Sequence, residues 1–217
     1  MDMADVRGSH TDRHLMPRHF SHLLSSLALV LLVACGKGTG DTPAVPAGPA
    51  PDSFRVTLET SRGPVVVEAL RAWAPNGVDR FYALSQAHFF DENRFFRVVP
   101  GFIVQFGLAG EPKVNERWDG KPIPDDPVRR SNLRGTITFA TEGPNTRSHQ
   151  LFINLADNPR LDKLGFTPIG RVVSGMAVVD SIYPGYEEDP KQGMIQRLGN
   201  SYLARMFPKL DYIRTTR

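Results

Sequence analysis

The sequence predicts a mainly β domain, a barrel or sandwich with flanking helices, on three observations. Short apolar runs follow one another from residue 53 onward, separated by Gly, Pro and Asn turns. Only two or three stretches space their apolar residues as a helix does. The composition is that of an ordinary globular chain: of 217 residues, 41% are hydrophobic and 23% charged, with a net charge of +3. That bias is mild and contains no basic run, so nucleic acid is not expected as a partner.

The N-terminal segment reads as a targeting signal. Residues 23–34, LLSSLALVLLVA, are apolar and follow Arg13 and Arg18. A basic start, a short apolar centre and small residues at the end make a secretory signal. The run is too short to span a membrane, which takes about 20 apolar residues. Leu32-Val33-Ala34-Cys35 resembles a bacterial lipobox, which implies cleavage before Cys35 and acylation of that residue. Gly36 follows rather than Asp, which in such lipoproteins implies the outer membrane, facing the periplasm. Translation starts at Met1 or at Met16. Cys35 is the single cysteine, so an intrachain disulfide is excluded. Residues 36–52 hold four Pro and four Gly and read as a linker. The expected organisation is a signal over 1–34, lipidated Cys35 and linker over 35–52, and a folded domain over 53–217.

Within the domain, Phe54, Val56 and Leu58 alternate with Arg55, Thr57 and Glu59, a half-buried strand. Ser61-Arg62-Gly63 is a turn and Val65–Glu68 the returning strand. A short helix begins near Asn76, with Val78, Phe81, Tyr82 and Ser85 on one face and Leu84 beside them. Strands are expected over 95–99 and 102–106, broken by Pro100-Gly101. Residues 107–132 form a long Pro- and Gly-rich loop, unusual enough to suggest function or wrapping. Strands follow over 136–140, 150–154 and 167–173, then a short helix over 176–182. Ile195, Leu198, Tyr202 and Met206 give a helix over 193–207, stopped by Pro208, and LDYIRTT is the last strand.

The chemistry available is restricted. Past residue 34 the only histidines are His88 and His149, too few for a zinc site. Ser148 and His149 are adjacent, and on a strand they would point to opposite faces rather than pair. No phosphate-binding glycine motif or calcium-loop spacing occurs, so neither metal nor cofactor is expected. What remains is FFRVVPGFIVQFG, residues 95–107, an apolar segment carrying Arg97 and Gln105. Taken alone, Arg97 would be a surface cation on an edge strand, Phe102 and Phe152 core aromatics.

Together, FFRVVPGFIVQFG and FATEGPNTRSHQLFINL resemble the signature regions of cyclophilin-type peptidyl-prolyl isomerases. The similarity continues through LDKLGFTPIGRVVSGMAVVD and spans roughly residues 53–182. It implies a closed antiparallel barrel of about eight strands with two or three helices. It assigns Arg97 as catalytic, with Gln105 beside it. It places Phe102, Ile103, Ala140, Thr141, Gln150, Phe152, Leu161 and Phe166 around the substrate proline. Arg160 stands where many eukaryotic members have Trp, His149 replaces Ser or Thr, and Phe96 replaces a frequent His. These departures raise a second reading, a non-catalytic binder of proline peptides. The implied partners are proline-containing segments of folding proteins and, through Cys35, a membrane. A monomer is expected.

Overall fold

A computed structural model describes residues 48–217, so the expected signal, Cys35 and most of the linker lie outside the described residues. Eight strands are linked in one antiparallel sheet: β1 (Ser53–Thr60), β2 (Gly63–Leu70), β3 (Arg97–Val99), β4 (Ile103–Phe106), β5 (Thr136–Phe139), β6 (Leu151–Asn154), β7 (Pro168–Ser174) and β8 (Ile213–Thr216). Their order across the sheet is β3-β4-β6-β5-β7-β2-β1-β8. Sequence alternation sets the first hairpin: Val56 faces Val67 and Leu58 faces Val65, all four buried, with Ser61-Arg62 at the turn.

The closed barrel of the resemblance appears as a curled sheet whose end strands share no ladder. β3 and β8 are joined through the residues beside them, by one bridge at Arg94 and Tyr212. The Phe95 amide donates to Asp211 O at 3.0 Å and the Ile213 amide to Asn93 O at 2.9 Å. Beyond that bridge a side chain replaces a strand: the Asp91 carboxylate accepts from the Thr216 amide at 2.8 Å and from the Thr215 hydroxyl at 3.0 Å.

The inner face and helix α1 (Pro75–Gln86) make the main core, with Val78, Phe81 and Leu84 inward. Pro75 suits the first helical turn, where its missing N–H costs nothing. The cap is remote: Asp126 accepts from the amides of Asn76 and Gly77 at 3.0 and 2.9 Å. The 107–132 stretch contains a short helix, α2 (Pro112–Glu116), which the sequence reading did not give. This stretch wraps the body and is pinned to it. Within it, Asn115 bonds both the amide and the carbonyl of Ala109. Arg147, 1% exposed, reaches Asp125 and Asp126 at 3.1 Å each.

Helix α3 (Met176–Asp180) is shorter than expected. Helix α4 (Gln192–Met206) is broken rather than continuous: Gly199 has φ 57° and ψ −145°. The break has a packing cause. A Cβ on Gly199 would lie 2.0 Å from the Gly110 carbonyl oxygen, so the helix can approach α2's loop only through glycine. α4 builds a second core, in which Ile195, Tyr202 and Leu203 pack with Phe96 and Leu108.

Candidate active site

Strand alternation builds the site. Arg97 pairs with Gln105, Gln105 with Phe152, and Phe152 with Thr138 across four strands. This row shares one face of the sheet. Their neighbours Val98, Val104, Ile153 and Ile137 point the other way into the main core. On the row's side a separate apolar cluster forms, with Ile103, Phe152 and Leu161 buried and Phe102, Ala140 and Phe166 partly so.

The turn between β3 and β4 determines who meets Arg97. Pro100 fixes its second position and Gly101, at φ +69°, its third, with the Phe102 amide donating to Val99 O at 3.0 Å. Phe102 thereby arrives 5.8 Å below the Arg97 guanidinium. Arg160, from a 3₁₀ turn over Pro159–Leu164, lies 4.7 Å from the same ring. Phe152 and Phe166 meet edge-on at 5.7 Å.

The structure brings all ten domain residues singled out in the sequence to one cleft of about 400 Å³. Arg97, Gln105, Thr141 and Gln150 supply its polar side. Phe102, Ile103, Ala140, Phe152, Leu161 and Phe166 supply its apolar side. Sequence reasoning missed Asp119 and Glu142 from loops, and Gln192 and Gln196 from α4, which also line it. It missed Glu188 as well, which accepts from Arg97 Nε at 2.6 Å and from Nη2. Glu142 stands next to Thr141 but carries no signal of its own, and Asp119, Glu188, Gln192 and Gln196 reach the cleft from segments remote in sequence.

A line of amides crosses the cleft. Arg97 Nη1 donates to Gln105 Oε1 at 3.2 Å. Gln105 Nε2 donates to Gln150 Oε1 at 2.9 Å, and Gln150 Nε2 to Gln192 Oε1 at 3.1 Å. The direction is forced, since Arg has donors only.

Buried asparagines support the apolar side. Asn132, fully buried, donates to Asp162 and to the Phe166 carbonyl at 2.8 Å each, and accepts from Thr138 at 2.8 Å. Asn158 donates to the Phe102 carbonyl at 3.1 Å and to Asn154 Oδ1 at 2.8 Å. Burial raises the Asp162 carboxyl, but hydrogen bonds from Ser131 and from the Asn132 side chain and amide outweigh it and hold the group below the ordinary carboxylate value. Ser148 and His149 lie just before β6 and also line the cleft, but they do not pair with each other. Ser148 Oγ donates to Trp118 O at 3.0 Å; His149 Nδ1 lies 2.7 Å from Gly107 O and Nε2 2.8 Å from Asp119.

Residues 55–199 match the family model described as cyclophilin type peptidyl-prolyl cis-trans isomerase/CLD. The chain belongs to this family. Among curated relatives of this cyclophilin, the Schizosaccharomyces pombe peptidyl-prolyl cis-trans isomerase ppi1 is 37% identical over 129 residues, covering 57% of this chain and 81% of its own. A peptidyl-prolyl cis-trans isomerase of Acinetobacter baylyi is 31% identical over 150 residues, covering 63% and 79%. Solved structures share the fold. A Cryptosporidium parvum cyclophilin superposes with a TM-score of 0.57 at 20% identity, covering 76% of this chain and 96% of that one. The same protein was solved in the presence of the dipeptide Ala-Pro, with a TM-score of 0.56, 19% identity, and coverage of 75% and 97%. Cyclophilin AquaCyp293 of Hirschia baltica gives a TM-score of 0.59 at 16% identity, covering 78% and 75%.

Proposed function

We propose that this cyclophilin isomerises X-Pro peptide bonds in the cleft and that Arg97 is its catalytic residue. One observation carries the assignment: Arg97 and Gln105 are partners across β3 and β4 and line the same cleft as the apolar cluster of Ile103, Phe152 and Leu161. The isomerase relatives support the reaction class, and the structure solved with Ala-Pro supports a proline-containing ligand.

The reaction breaks no bond. Its barrier, about 18–20 kcal/mol, is the amide resonance that rotation removes. As the amide twists, the prolyl nitrogen becomes pyramidal and regains a lone pair. An Arg97 N–H can donate to that lone pair, while the planar ground-state nitrogen is a poor acceptor. The bond is therefore made chiefly in the transition state, which is what lowers a barrier. Turnover of ~10–1000 per second, against ~0.01 per second unaided, needs about 4–7 kcal/mol. One charge-assisted hydrogen bond supplies about 1.5–3 kcal/mol. The rest falls to placement. Phe102, Ile103, Phe152, Leu161 and Phe166 would grip the ring beside Ala140. Gln105 and Gln150 would fix the Arg, and the Thr141 backbone would hold the preceding residue. A dry pocket strengthens the Arg contact further.

The test is exchange spectroscopy on a proline tetrapeptide. The wild type should accelerate cis–trans exchange, and Arg97→Ala should lose most of that rate with an unchanged circular dichroism spectrum. Peptide shifts without faster exchange would instead mark a non-catalytic proline-peptide binder.

The lipobox-like quartet, the apolar run before it and Gly36 support a lipid-anchored protein of the cell envelope at the periplasmic face of the outer membrane, where it would act as a monomer on extracytoplasmic folding proteins. Cys35→Ser should move the protein from the membrane to the soluble fraction on cell fractionation. A wild type already soluble would overturn the anchor.

A further inference from the structure

The geometry points to Glu188 as a positioning residue for Arg97, carried by the segment 183–192 that α4 anchors; this rests on the isomerase reading above. Arg97 has five N–H donors. Glu188 takes the one on Nε and one on Nη2, both at Oε1, and Gln105 takes one on Nη1. One N–H on each terminal nitrogen is left for substrate. Held at Nη1 alone, the fork could pivot about that contact. Held at both ends, it keeps one orientation. The side-chain line across the cleft thus begins at Glu188 and returns through Arg97, Gln105 and Gln150 to Gln192, four residues further along the same segment.

The segment is fixed independently of Arg97. The Val98 amide donates to Glu187 O at 3.1 Å, directly beside Arg97 and Glu188. The Tyr183 amide donates to Asp211 at 2.8 Å and the Lys191 amide to the Tyr202 hydroxyl at 3.3 Å. Tyr183, Tyr186, Phe207 and Tyr202 stack edge-on in sequence at 5.3, 5.1 and 5.6 Å. Phe96, the residue before Arg97, packs into this same cluster. The acid is therefore presented by a backbone segment anchored on both sides of it.

The Arg97 contact to prolyl nitrogen forms mainly in the twisted state, so looser positioning should lower kcat with little change in KM. The pair is part-exposed, with side-chain exposures of 27% for Arg97 and 59% for Glu188. Its expected effect is accordingly small, about two- to five-fold in kcat for Glu188→Ala. Glu188→Gln, which keeps one neutral acceptor, should recover part of the loss. Glu187→Gln removes the same charge from an exposed neighbour and should match wild type. With an uncharged proline peptide, salt should slow the wild type toward the Glu188→Ala rate and leave that variant unaffected. A Glu188→Ala kcat equal to wild type would overturn the proposal. A higher one would overturn it too, by showing that the carboxylate withholds donors from the substrate. If wild type and Arg97→Ala were both inactive, the isomerase reading itself would fail, and this inference with it.

Discussion

Gln105 answers two demands from one position. Its carbonyl oxygen accepts from Arg97 and its amide donates to Gln150, and it is 5% exposed. Removing it would free one end of the guanidinium and leave a void at the edge of the proline pocket. Gln105→Ala should therefore cut kcat/KM about ten-fold or more, measured on the same tetrapeptide, since hydrogen bonds to charged groups contribute about 1.5–3 kcal/mol. The segment FFRVVPGFIVQFG made this pair visible in the sequence: two polar residues in an apolar run, either side of a Pro-Gly turn, with a spacing that fits a hairpin. The asparagines behind the pocket were not visible. Asn132, Asn154 and Asn158 read as ordinary loop and strand polars, and their role appears only when a fold stacks residues 132, 138, 154 and 162 together.

Among the elements, those whose apolar spacing shows in the sequence were legible, and a one-turn helix and a break inside a helix were not. β1, β2 and α1 follow from alternation and helical spacing. α2 has five residues, too few to show a period, and depends on Asn115 bonding back to Ala109. The α4 break was invisible because Gly199 looks like a tolerated helical glycine until Gly110 is set against it. That contact gives a sharp expectation. Gly199→Ala combines a steric clash with a left-handed backbone and should destabilise by about 2–4 kcal/mol, read as a lower urea midpoint. Since α4 carries Gln192 and packs on Phe96, activity should fall in the same variant. β7 and β8 had boundaries within a few residues of expectation, and β3 and β8 meet through a single bridge rather than a ladder, the Asp91 carboxylate taking the Thr216 amide that a neighbouring strand would otherwise pair with.

For the whole molecule, acid should be the weak side. Among the described residues, three carboxyls sit below their ordinary values. Hydrogen bonds from Arg55 and Arg171 lower Glu68, the Arg71 guanidinium lowers Asp79 against burial, and Asp162 is held down as described. A depressed carboxyl contributes stability that is fully present above its unfolded value and is lost as pH falls through the folded one. Stability contributed by these groups should therefore be constant near neutrality and decline below about pH 4. Asp162→Asn should start less stable at pH 7 and lose less on acidification, measured by thermal melts from pH 7 to pH 3. Because Asp162 ties the 3₁₀ turn to Asn132, its protonation would also loosen Leu161 against the pocket.

β4, β5 and β6 have no outside. All twelve of their residues are buried, half against the main core and half toward the cleft or its asparagine support. This is why Ile103–Phe106 and Leu151–Asn154 read as near-continuous apolar runs, while Thr136–Phe139 alternates threonines bonded to the asparagine support with Ile137 and Phe139 in the core. It also makes these strands intolerant of a change in length. Inserting one residue would send Val104 toward the proline and Gln105 into the hydrocarbon interior, damaging the reaction and the fold at once. Substitution can retune this pocket; insertion into these three strands cannot.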